Sequence, residues 1–280
     1  MFALLIVGCL PNNPTLTSTQ TWIQPPTYTS VSPTFTPSFE PLQTATSMLA
    51  ATLDPIQARK TIRTLLQEPV DCMAPCFWEI TPGKTQFEDT KKIFDHLGLQ
   101  LRHTNTQNNK DFYGVIFDSD NGLRITPVFT IQNGIVKNIN VGINPETSKE
   151  GAPREWSAYS PETLIRRYGP PSRVDFGIAW GPGPSSFFEM IMYFDTIDLI
   201  VEYGGQDIIP WQQKSSPHFC PLAAQFEIVR LWMGKDPIDP PANAVQLEKA
   251  TSMTMEEFSK LMTEEPNQAC FNLKGDMFPP

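Results

Sequence analysis

Between Leu10 and Leu53 the chain carries no Lys or Arg and a single carboxylate, Glu40, while Ser and Thr fill sixteen positions and Pro seven. Such a stretch cannot bury enough apolar surface to offset the entropy of ordering it. It reads as a disordered tether, extended and polyproline-like around Pro25-Pro26, Pro33, Pro37 and Pro41. Folding is thereby confined to residues 54–280, enough for one large domain or two small ones that bury roughly 70% of their unfolded surface. No apolar run of membrane-spanning length occurs in that part.

Ahead of the tether, Met1 to Cys9 is an apolar run closing on Ile6-Val7-Gly8-Cys9. These four residues resemble the bacterial lipobox, in which an aliphatic residue stands three before a cysteine and a small residue stands just before it. Ile6 takes the place of the more usual leucine, and no Lys or Arg precedes the run. The resemblance implies cleavage after Gly8, thioether attachment of a diacylglycerol to Cys9 and further acylation, palmitate included, of the new amino terminus. Two or three acyl chains bind a bilayer far more firmly than one. The expected arrangement is a signal and anchor over 1–9, a tether over 10–53 and an extracytoplasmic domain over 54–280, facing away from the cytoplasm.

The formal net charge of −9 and a pI near 4.9 argue against nucleic acid and against anionic lipid headgroups as partners. With Cys9 set aside, Cys72, Cys76, Cys220 and Cys270 remain. An even count in an exported domain favours two disulfides, and four cysteines allow three pairings. The expected set is Cys72–Cys76, adjacent across Met73-Ala74-Pro75, and Cys220–Cys270, tying down the C-terminal segment. A redox role for the first pair is disfavoured because thioredoxin-like motifs use two intervening residues, not three. A zinc site from these cysteines with His218 lacks a ligand spacing pattern.

The domain has a rhythm. Asp54-Pro55 reads as N-cap and first turn of a helix carrying Ile62, Leu65 and Leu66 on one side. Thr85 and Glu88 form a capping box before a second helix striped by Phe87, Phe94 and Leu97, which stops at Gly98. Alternation then predicts strands near 112–118, 123–131 and 135–143, with hairpin turns at Asn121-Gly122 and Asn133-Gly134. Ser160-Pro161 caps a short helix ending at Tyr168-Gly169, and strands follow near 173–180, 187–194 and 198–203. The fold class expected is α+β: two helix-plus-three-stranded antiparallel meander repeats, about 80–145 and 158–205, with a mixed C-terminal segment, 206–280. Residues 221–233 fit a helix and a strand about equally, and Thr254 with Glu257 caps a helix through Met262.

Ile80-Thr81-Pro82-Gly83-Lys84-Thr85 leading into a helix, and Tyr168-Gly169-Pro170-Pro171-Ser172-Arg173-Val174 leading into a strand, resemble pieces of the β-lactamase-inhibitor-protein type of envelope lipoproteins and secreted inhibitors. That resemblance implies helix-plus-sheet units that bind other proteins. With Cys72 to Trp78 and Cys270-Phe271, the domain also resembles bacterial lipoproteins to which no function is attached.

Motifs for chemistry are scarce. Gly83-Lys84-Thr85 ends like a phosphate-binding P-loop, yet Trp78 stands where the first glycine belongs, so it reads as a helix start. Asp118-Ser119-Asp120-Asn121-Gly122 looks like a calcium loop, but Phe129 occupies the position of the bidentate glutamate, so a hairpin turn explains it better. No HExxH or GxSxG pattern is present. His96, His103 and His218 have no carboxylate or nucleophile at a telling distance, and Glu88-Asp89 and Glu256-Glu257 fall in first helical turns, where the dipole favours acids.

No catalytic residue, metal or cofactor is therefore expected, and the reading is a membrane-anchored module that binds a protein or an envelope polymer. The competing class is a hydrolase whose two carboxylates lie far apart in sequence. A deep pocket with converging titratable groups would favour the hydrolase, and a broad sheet face carrying aromatics the binding module. One binding loop is nominated, Ala179 to Ser186, where Trp180 either presents an apolar face or closes the core at a strand end.

Overall fold

The computed structural model describes residues 52–68, 75–118, 123–145, 156–181, 185–206, 215–221, 226–235, 243–264 and 269–278. Cys9, the tether to Ala51, Cys72 and the Asn121-Gly122 turn lie outside them. Among the described residues the α-helices are α1 (Pro55–Gln67), α2 (Phe87–His96), α3 (Pro161–Tyr168), α4 (Leu247–Thr251) and α5 (Met255–Glu264).

Ten strands form one antiparallel sheet. They are β1 (Arg102–Gln107), β2 (Lys110–Gly114), β3 (Phe117–Asp118), β4 (Leu123–Gln132), β5 (Ile135–Pro145), β6 (Arg173–Trp180), β7 (Ser186–Phe194), β8 (Leu199–Gln206), β10 (Ile228–Met233) and β11 (Val245–Gln246). The sheet runs β1-β2-β4-β5-β10-β8-β7-β6-β11, with β3 paired to β4. Apart from it, β9 (His218–Phe219) pairs with β12 (Phe271–Asn272). The protein is thus α+β with a large antiparallel sheet.

Local signals account for most boundaries. The Asp54 carboxylate accepts from the N–H groups of Ile56 and Gln57, and Pro55 opens α1, which buries Ile62 and Leu66. Ser160 caps α3 by accepting from the Thr163 N–H, and Gly169, at φ +82°, ends it. Thr254 and Glu257 form the reciprocal capping box of α5, the Glu257 carboxylate accepting from Thr254 N–H at 2.8 Å and the Thr254 hydroxyl accepting from Glu257 N–H at 3.2 Å. Asn133 and Gly134, at φ +53° and +73°, make the left-handed pair that a two-residue hairpin between β4 and β5 requires.

Three expectations need correction. Thr85 does not cap α2: its hydroxyl accepts from the Thr81 N–H at 2.8 Å, closing the preceding turn, and Gln86 is the N-cap without a side-chain bond. Gln86 is occupied in a β-bridge to Ile135, so the chain turns helical only at Phe87. The strand near 112–118 is two pieces, β2 and β3, both pairing with β4. The first half holds more than three strands, because β1, whose side chains are all exposed, adds an outer edge through a turn at Asn108-Asn109 with φ of +52° and +58°.

Of the segment 221–233 that fitted helix and strand alike, Ile228–Met233 form β10, and residues 222–225 lie outside the described residues. This strand pairs with β5 on one side and β8 on the other, and so joins both meanders into one sheet. Its inward residues Val229, Leu231 and Met233 are buried in a core shared with Phe94 of α2, Leu164 of α3, Leu247 of α4 and Phe258 of α5. Aromatic rings fill the far end of this core, where Phe219 meets Phe188 at 4.0 Å and Phe271 at 5.5 Å between centroids.

Candidate functional site

Strand pairing lines up the residues on the sheet face opposite this core. Across β4, β5, β10, β8, β7 and β6, one row reads Thr126, Gly142, Arg230, Glu202, Ile191 and Asp175. The next row reads Val128, Asn140, Trp232, Ile200, Tyr193 and Arg173. Because side chains alternate along a strand, both rows point away from the core.

Where these rows cross β4, β5 and β10 they line a groove of about 550 Å³, bounded by Thr126 and Val128 on one side and by Arg230 and Trp232 on the other. Gly142 lies in its floor, and a Cβ there would come no nearer than 4.0 Å to its closest neighbour, Thr126. The floor is therefore open because a side chain is missing, not because backbones crowd. Asn138 and Asn140 line the same groove as Trp232, and Asn140 is its register partner on β5. An aromatic face flanked by amide and hydroxyl groups gives one apolar platform with a few fixed donors and acceptors.

Beyond the groove the same face turns buried and charged. Glu202, 5% exposed, accepts from Arg230 Nη1 at 2.7 Å. Burial pushes the Glu202 carboxyl above the ordinary glutamate range, and Arg230 only partly opposes this. Glu189, also raised, is held up by burial and then by the charge of Glu202. At the other end the Arg173 guanidinium lies 3.7 Å over the Tyr193 ring and 3.2 Å from the Asp175 carboxylate. Burial raises Asp175 as well, against the pull of Arg173.

These shifts carry a sign. A carboxyl that holds its proton more tightly folded than unfolded adds stability that is full below the unfolded value, 4.5 for glutamate, and is lost as pH rises through the folded value. Glu202→Gln keeps an acceptor for Arg230 but cannot titrate. Urea unfolding at pH 4 and pH 8 is expected to show a stability difference between wild type and E202Q that moves in favour of the variant as pH rises. A pH-independent difference would contradict the assignment.

The residues singled out from sequence are elsewhere. Cys220 and Cys270 form a disulfide across a sequence separation of 50. Cys76 is disulfide-bonded too, while Cys72 lies outside the described residues. His218, Cys220 and Cys270 bring ligand-type atoms within 4.8 Å of one another. The two sulfurs are spent in the disulfide and the His218 Nδ1 faces Asn272 Oδ1 at 2.8 Å, so this is not a thiolate donor set. Trp180 is half-buried, packs against the core and donates its indole N–H to the Phe278 carbonyl at 2.9 Å. Residues 182–184 of its loop lie outside the described residues. Asp118 pairs with Arg124, Nε to Oδ1 at 3.0 Å.

Arg230, Trp232, Glu202 and Glu189 were not legible as site residues. The available signals were a lone carboxylate inside the apolar run Leu199-Ile200-Val201-Glu202-Tyr203, and the alternation of Arg230 and Trp232 with Val229, Leu231 and Met233.

No family model matches this chain, and no curated protein matches it. Among solved structures it is similar to an extracellular protein containing a SCP domain from Bacillus anthracis str. Ames, at 10% identity and a TM-score of 0.26, over 62% of this chain and 55% of that one. The chain thus spans about half the length of that protein. An overlap this weak carries no argument about fold or activity.

Proposed function

We propose that the protein is a membrane-tethered, extracytoplasmic binding module whose sheet groove receives an envelope polysaccharide. The observation that carries this reading is the groove itself: an open trough with Trp232 on one wall, Asn138 and Asn140 in its lining, and a glycine floor. The C–H face of a sugar ring packs on an indole, and its hydroxyls satisfy carboxamide and hydroxyl partners. A flat trough on a sheet suits a polymer that lies along it. The described residues lining it include one charged side chain, Arg230, and no nucleophile–base pair. The resemblance of Ile80 to Thr85 and of Tyr168 to Val174 to pieces of the β-lactamase-inhibitor-protein type, whose members work by binding, is in keeping with this reading.

Co-sedimentation with purified peptidoglycan tests it. Trp232→Ala and Gly142→Val are each expected to weaken binding at least tenfold while the melting temperature holds, because one removes the platform and the other fills the floor. Unchanged binding in both variants would refute the groove. The membrane half of the proposal rests on Ile6-Val7-Gly8-Cys9. A palmitate analogue is expected to label the chain in a lipoprotein-processing host, and Cys9→Ala to abolish the label and release the protein. Membrane retention without label would refute the anchor.

A second reading has one observation in its favour. Glu189 and Glu202 lie on neighbouring strands of the same face, both raised by burial, which is how a two-carboxylate hydrolase keeps one acid protonated. Release of reducing ends from the bound polymer, lost in E202Q, would favour hydrolysis over binding alone.

A further inference from the structure

Four of the chain's twelve lysines converge on one recess of about 520 Å³: Lys84 from the turn before α2, Lys110 at the start of β2, Lys137 in β5 and Lys235 just past β10. Asp198 is the one carboxylate among the described lining residues. Among the described residues, Lys84, Lys137 and Lys235 have no carboxylate within ion-pair distance, unlike Lys91 and Lys92 on α2, which sit 3.1 Å and 2.8 Å from Glu88 and Asp89.

The convergence is built by the fold. Gly234 has φ +115°, and a Cβ there would stand 2.6 Å from the Lys137 carbonyl and would also collide with Asn138. Only glycine lets the turn after β10 come down on β5, and that approach sets Lys235 beside Lys137. On the other side, the Gly83 N–H donates to the Val136 carbonyl at 2.7 Å, which pins the Lys84 turn to the same strand. Two tight backbone contacts thus bring the segments that carry these lysines to the rim of one recess, in a chain whose net charge is −9.

We infer that this recess binds a small anion bearing phosphate groups. Clustered ammonium groups repel one another, and a local excess of positive charge focuses the field on anions even when the whole chain is acidic. Lysines act as point charges toward phosphate rather than as planar forks, so the site selects charge more than shape. The recess takes a headgroup-sized ligand, either a soluble phosphate compound or the phosphate of an anionic lipid. The overall charge, which argues against anionic partners, is a sum over the chain and does not describe the local field of this recess. The recess and the sheet-face groove share Asn138 in their linings, and different variants and different ligands test the two.

The test uses the full chain carrying Cys9→Ser, so that no acyl chain contributes. Calorimetric titration with pyrophosphate at low salt is expected to show saturable binding that weakens steeply toward 0.5 M salt. The triple variant K84Q/K137Q/K235Q is expected to lose at least tenfold in affinity. A control triple, K91Q/K92Q/K274Q, removes equal charge elsewhere and is expected to lose less than twofold. Lys137→Arg retains the charge and is expected to retain binding. Sedimentation with phosphatidylglycerol against phosphatidylcholine vesicles separates the sources: a lysine-dependent preference for the former identifies a lipid phosphate, and pyrophosphate binding alone identifies a soluble one. Absence of binding to both probes, or equal losses in the two triples, would overturn the site.

Discussion

Phe219→Ala is expected to lower the unfolding free energy by about 3 to 5 kcal/mol, the range for deleting a fully buried aromatic ring. Phe219 is 1% exposed and its ring contacts Phe188, Phe226, Phe271 and Phe176. Those neighbours come from β7, the segment before β10, β12 and β6, so the cavity opens where four parts of the chain meet. Rings on a sheet cannot close such a gap without shifting the strands that carry them. For a domain of this size the loss corresponds to a drop in melting temperature of about 10 °C. Phe219→Leu refills most of the volume and is expected to recover more than half of it. Equal damage from both variants would mean that ring stacking, not volume, holds this end of the core.

Breaking the Cys220–Cys270 disulfide is the other large effect. Restoring the entropy of a loop spanning 50 positions to the unfolded chain is expected to cost about 3 to 4 kcal/mol in the chain-entropy account. Cys220→Ala with Cys270→Ala, followed by urea under non-reducing conditions, measures it. The bond flanks the β9–β12 pair in which Phe219 faces Phe271, so its loss also loosens the aromatic cluster. Combined with Phe219→Ala, the loss is expected to fall short of the sum, because the two perturbations share this small sheet. An additive result would show that the disulfide acts on the unfolded chain alone.

The sequence exposed its local rules and hid its long-range ones. Caps at Asp54, Ser160 and Thr254 and the Asn133-Gly134 hairpin follow from residues within four positions of one another, and each is found in the structure. The Thr85–Glu88 box failed because Thr85 had a competing use, a turn bond to Thr81, and Gln86 a bridge to a strand nearly fifty residues away. Strand β1 was invisible because Arg102 to Gln107 are all exposed, which leaves no buried face to write an alternation. Strand β10 was ambiguous for the opposite reason. Its outward residues, Ile228, Arg230 and Trp232, are as large as its buried ones, so the two-residue period is blurred.

That same blurring hid the candidate site. The groove needs Thr126, Asn140, Gly142 and Trp232 in one place, and only the register of β4, β5 and β10 puts them there. Nothing in the spacing of these residues along the chain announces it. The four lysines of the recess likewise come from four separate segments, and whole-chain charge points away from it. Trp180, the aromatic that sequence reasoning nominated, alternates with Ala179 and shares the core-facing side of β6 with Phe176 and Ile178.

Hydroxyl-radical footprinting of the protein with and without bound peptidoglycan tests the central claim most directly, because it reads side-chain exposure residue by residue. Oxidation of Trp232 is expected to fall severalfold when the polymer binds, while Trp180, on the opposite face of the sheet, oxidises at the same rate. Polymer binding that leaves Trp232 as reactive as before, or that protects Trp180 instead, would contradict the groove as the recognition surface.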